Sequence, residues 1–205
     1  MGRKLIAIVV LMASMIAHAA SGIAQESAPP ADSAEQSVTI AETEVSWFGA
    51  WQFDEDASSD EIVTLKIVDE ESGDLKLVTY AEMMDETVDD AGEALDVFAT
   101  AFLSTPGVSS VVEVATGELD DGAVWKVFAY DLGSVELATV FTVSERDDNT
   151  FVVSTLTAAI PEFAEVVAEA QEQILLDGEP VFLGGIDREA FLPAPVATPQ
   201  ATPEG

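Results

Sequence analysis

The sequence predicts an α+β fold, with an antiparallel sheet of about seven strands and two packed helices in the order βββαββββα. Three observations lead there. Apolar and polar residues alternate over short runs separated by Asp-, Asn- and Gly-rich turns. The apolar period lengthens to that of a helix in only two places. Those two helices follow runs of strands instead of alternating with single strands, which disfavours a parallel nucleotide-binding sheet.

Each element has its own signal. Val45, Trp47, Trp51 and Phe53 alternate around Gly49 and predict a first strand. After a turn at Asp54 to Asp60, Val63, Leu65 and Ile67 face one way and Thr64 and Lys66 the other. Leu75 to Tyr80 follows a second acidic turn. Val88, Ala91, Leu95, Phe98 and Phe102 then recur at helical spacing, with Thr87 as the expected N-cap and Thr105-Pro106-Gly107 as the stop. Strand patterns resume at Val108 to Val114, Ala123 to Tyr130, Val135 to Val143 and Phe151 to Leu156. Pro161 suits the first position of a second helix, whose stripe is Phe163, Ala164, Val167, Ala170 and Ile174. Asp177-Gly178 is its expected end. Pro180 to Leu183 reads as a short edge strand.

The ends read differently. Arg3 and Lys4 precede an apolar run from Leu5 to Ile16, then small residues through Ala24, which predicts a signal peptide over 1–24 cut after Ala19 or Ala24. The competing reading is an N-terminal membrane anchor, for which the run is short of the ~20 residues a spanning helix needs. Residues 25–44, with Pro29-Pro30, read as a disordered leader, 45–192 as one domain, and 193–205 as a disordered Ala/Thr/Pro tail. The chain has no cysteine, so it has no disulfide and no lipoprotein acylation site.

Cleavage would also remove His18, the sole histidine, together with Arg3 and Lys4. Lys66, Lys76, Lys126, Arg146 and Arg188 then stand against all 39 acidic residues. A field of that sign repels phosphate backbones and anionic lipid, which speaks against nucleic-acid partners and anionic membrane surfaces. Three readings of the charge remain open: solubility, adaptation to a salty exterior, and binding of divalent cations such as Ca²⁺.

The element order, with the Trp47/Trp51 opening strand, the helix Val88 to Phe102, the meander ending Phe151-Val152-Val153-Ser154 and the helix Pro161 to Leu175, resembles the PsbP-like superfamily. That superfamily is named for an extrinsic photosystem II subunit and also includes a Ran-binding protein. The resemblance covers about Val45 to Leu183 and rests on packing features. It implies an α/β/α sandwich and a non-enzymatic accessory or binding role, and it transfers no functional residue.

Chemistry is thin in the mature chain. Without His or Cys there is no Ser-His-Asp or Cys-His arrangement and no His- or Cys-based zinc site. No serine lies three residues before a lysine, and no phosphate-binding glycine loop is present. A carboxylate-pair hydrolase stays open, because 39 acids allow many pairs. The weak candidate metal ligands are Asp54, Asp56 and Asp60, at positions 1, 3 and 7 of a loop; Ser59 stands where a Ca²⁺ loop needs glycine and Leu65 where it needs glutamate. The competing reading is a solvated turn. Trp47, Trp51 and Trp125 are read as core residues, with a ligand-facing aromatic wall as the alternative. The overall expectation is a secreted bacterial protein, monomeric and without a catalytic site or cofactor, which binds a protein or small ligand. The alternative is an extracellular Ca²⁺-binding or salt-adapted surface protein.

Overall fold

The alternating patterns form two antiparallel sheets in a computed structural model, which describes residues 35–40, 43–68, 75–84, 88–147 and 150–180. The strands are β1 Gln36–Ile40, β2 Thr43–Trp47, β3 Gln52–Phe53, β4 Ile62–Val68 and β5 Leu75–Met84, followed by helix α1, Ala91–Leu103. Then come β6 Val108–Glu118, β7 Val124–Leu132, β8 Val135–Asp147 and β9 Thr150–Ala159. Helix α2, Phe163–Gln173, leads into β10 Ile174–Leu176 and β11 Glu179–Pro180. The main sheet has seven strands in the order β3-β4-β5-β9-β8-β7-β6, and the small sheet has the order β1-β2-β10-β11.

Side chains of a strand alternate between its two faces, so each central strand serves two cores. From β8, Leu137, Phe141 and Val143 join Leu95, Phe98 and Phe102 of α1. The intervening Ala138 and Val140 join Phe163, Val166 and Ala170 of α2, with Val45 and Trp47 of the small sheet. Phe141 sits at the centre of the first core, edge-on to Phe98, Phe102 and Phe128 at 5.2 to 6.0 Å between centroids. The result is three layers: α1, the main sheet, then α2 with the small sheet. The α+β class read from the sequence holds, and so does the packing of a helix on each side.

Several boundaries differ, each for a physical reason. The first expected strand is two strands in different sheets, because Gly49 turns the chain at φ +82°. Trp47 and Trp51 still point into one core, so the turn leaves the alternation unbroken. Gln36–Ile40, placed in the leader by sequence, pairs with β2 along its whole length; only Val38 and Ile40 are apolar there, too few for a pattern. Helix α1 starts at Ala91 with Asp90 as its cap, while Thr87 lies outside the described residues. Pro161 belongs to a 3₁₀ turn, Ile160–Glu162, ahead of α2. Val166 takes the buried place expected of Ala164.

Ile174 leaves the helix and pairs with Trp47 as the first residue of β10, where its β-branched side chain fits the sheet. Asp177 (φ +48°) and Gly178 (φ +84°) form the two-residue turn between β10 and β11 and do not cap the helix. Glu44 and Asp177 close this sheet by exchanging hydrogen bonds of 2.9 Å across 133 positions of sequence. The expected edge strand is met by β11 only as far as Pro180, and 181–183 lie outside the described residues. So do the expected signal peptide at 1–24 and the expected tail at 193–205.

Candidate functional site

The acidic turn singled out by sequence folds around its own backbone. Ala57 is buried, Ser58 Oγ accepts from Thr64 N at 2.9 Å, and Thr64 Oγ1 donates to the Ala57 carbonyl at 3.0 Å. Asp54 lies 2.8 Å from Lys66 Nζ, while Asp56 and Asp60 are exposed. Among the described residues no group of three or more His, Cys, Asp or Glu could hold a metal ion.

Every described cation is bound to a carboxylate. Lys66 pairs with Asp54, Lys76 with Glu162 at 3.1 Å, Lys126 with Asp96, and Arg146 with both Glu82 and Asp177. The Arg146 cluster joins the two sheets. Its guanidinium donates to Thr43 Oγ1 at 2.6 Å and to Asp177 Oδ2 at 3.2 Å, and Tyr80 Oη donates to Thr43 Oγ1 at 3.1 Å. Burial pushes the Tyr80 phenol up to about 12, with Thr43 and Arg146 opposing the rise and Glu82 adding to it. This cluster is a clasp between β2, β5, β8 and the β10–β11 turn.

The tryptophans divide. Trp47 and Trp51 are buried in the core beside α2. Trp125 is half-buried and lies over Gly117, where an added Cβ would come within 2.6 Å of the ring. Gly117 therefore lets the indole settle on the β6 backbone. Trp125 helps line a cleft of about 380 Å³ between α1 and the β6–β7 hairpin, together with Leu95, Val124 and the Lys126–Asp96 pair.

The same end of the molecule carries the longest free strand edge among the described residues. The other edge strands have two to five residues, β3 and β11 two each and β1 five, whereas β6 has eleven. It carries no lysine or proline, and what guards this edge is the charge of Glu113 and Glu118 and two bulges. Val111, Val112 and Val114 are 43%, 59% and 40% exposed, which sets them apart from the buried valines of the inner strands. Two register shifts, between Ser109 and Val112 and between Glu113 and Ala115, bend the strand, and Ser110 takes φ +56°.

Pairing across β6, β7 and β8 sets the rows beside this edge. Val112, Ala129 and Ala138 form one row, and Ser109, Asp131 and Glu136 form another on the same face. Asp131 and Glu136 stand directly opposite each other, an arrangement of like charges that is unfavourable in a sheet. Sequence reading placed β6 as an ordinary strand. Its position at the edge depends on which strands pair, and no periodicity carries that. The chain matches no protein-family model, and no curated protein matches it.

Proposed function

We propose that the mature chain is an extracytoplasmic, non-enzymatic binding or accessory domain that recognises its partner along β6 and the cleft beside it. The observation that carries this reading is the run of exposed valines on an eleven-residue free edge. A partner strand adds main-chain hydrogen bonds there, and covering three half-exposed valines contributes about 1 kcal/mol each. The signal-like segment at 1–24 supports an extracytoplasmic site, and the PsbP-like order of elements supports an accessory role. The lack of His and Cys after residue 24 supports binding over catalysis.

The test is selection from a displayed library of random peptides on the purified mature chain, with Val112→Lys/Val114→Lys as counter-target. Both valines are exposed, so the variant keeps its core. Peptides enriched on the native chain are expected to lose at least tenfold in affinity for the variant. Enrichment no greater than on bare support, or equal binding to the variant, would overturn the proposal.

A further inference from the structure

We infer that the occupant of the β6 edge is an extended cationic segment, which adds as a strand and places its Lys or Arg side chains against Asp131, whose negative field Glu136 reinforces. This rests on the binding reading above and adds the chemistry of the partner. β6 and β7 carry one cation, Lys126, and Asp96 already holds it. An added strand would lie about 5 Å from β6 and about 10 Å from β7. Across that gap the row toward Asp131 passes over Ser109, a small residue, so a long cationic side chain can reach the carboxylate.

The Asp131–Glu136 pair is half-buried on the Asp131 side and directly opposed across β7 and β8. A cation set beside Asp131 on the β6 side offsets part of the unfavourable like-charge pairing. Glu113 pairs with Phe128 and Glu118 with Val124, on the opposite face. An incoming strand therefore meets carboxylate on both faces, with valines between. A segment that carries an aliphatic residue for Val112 and a basic residue toward Asp131 on one and the same face, two positions apart, fits. A second copy of this chain fits poorly, since its own β6 brings Glu113 and Glu118 and no cation.

The probes are three capped peptides, TKTVTKTVT, its glutamate counterpart TETVTETVT, and TKPVTKTPT, whose prolines block pairing along either edge. Binding is read by titration at low and at molar salt, and by hydrogen exchange of the β6 amides. The lysine peptide is expected to bind at least tenfold more tightly than either control, to weaken with salt, and to protect residues 111–118. Asp131→Asn/Glu136→Gln is expected to lose at least fivefold in affinity and to melt no lower than the native chain. Equal binding of the glutamate peptide, or protection elsewhere, would overturn the inference. Protection that grows with protein concentration alone would assign the edge to a second copy, with the same effect. If library selection yields valine-edge binders without basic residues, the binding reading stands and this inference falls.

Discussion

Three hydroxyl groups in the α1-side core are satisfied by one another. Tyr130 Oη lies 2.9 Å from Thr139 Oγ1, which lies 2.7 Å from Thr157 Oγ1, all buried on the α1 side of the main sheet. Burial raises the Tyr130 phenol to about 12, and the two threonine hydrogen bonds only partly offset this. An unfolded tyrosine ionises near 10, so between about pH 10 and 12 the folded chain holds a proton that the unfolded chain has released. That difference lowers stability as pH rises through the window, and below pH 10 it vanishes. Tyr130→Phe is expected to shallow the fall in stability between pH 9.5 and 11.5 (about one proton's worth of slope). Urea unfolding at those two values checks it, and an unchanged slope would refute it. Thr64 shows why such groups escape a sequence reading. It lies on the polar side of an alternating strand, yet it is fully buried because both faces of the sheet are covered. Alternation tells which residues share a face and is silent on whether the second face meets water.

Among the elements, α1 displays its start signal most plainly. Asp90 Oδ1 accepts from Glu93 N at 2.8 Å, and Glu93 Oε2 accepts from Asp89 N at 3.0 Å, so two otherwise unpaired amides are satisfied reciprocally. Asp90→Ala is expected to cost about 1 kcal/mol and to lower the melting temperature by about 2–4 °C. Asp90→Asn should retain most of that stability. Calorimetry on the pair checks the cap, and equal loss in both variants would point to charge as the cause. The sequence placed the cap at Thr87, because the spacing of Val88 drew the expected boundary too early. Val88 is buried ahead of the helix, and apolar burial looks alike in a helix and in the turn before it. The Asp-Gly after α2 misled similarly, because a left-handed pair serves a helix end and a tight hairpin equally well. The candidate site was least visible of all. Trp125 looks like a core residue until the fold sets it on Gly117 at the mouth of a cleft, and the β6 valines look like core until the strand order puts them at an edge.

At the scale of the molecule, acid dominates. All four described cations sit in ion pairs, and the sequence sets 39 carboxylates against seven cations. Surface ion pairs are worth little, about 0–1 kcal/mol each, whereas repulsion among dozens of carboxylates is summed over the whole surface. The screening length drops from about 10 Å at 0.1 M salt to about 3 Å at 1 M, so added NaCl is expected to raise the melting temperature. Choline chloride should do the same, since the effect is one of ionic strength. A flat or falling curve would show that self-repulsion is small. CaCl₂ matched in ionic strength is expected to add nothing beyond NaCl, and a further rise at millimolar Ca²⁺ would revive a metal site. Composition made this charge legible from the start. That every described cation is engaged became legible only with the fold.

The small sheet is built from the first strands of the domain and the last. β2 is flanked by β1, its immediate neighbour in the chain, and by β10, which is joined to it from 133 positions away through Glu44 and Asp177. A chain that emerges from its N-terminus therefore holds β2 with one side unpaired until nearly all of the domain has followed. Closing so long a loop is slow, and it gates the completion of the core around Trp47. Were the segment at 1–24 to direct export, as proposed above, such late closure would have a use: the chain would stay pliable during passage and lock only after its last strands arrive.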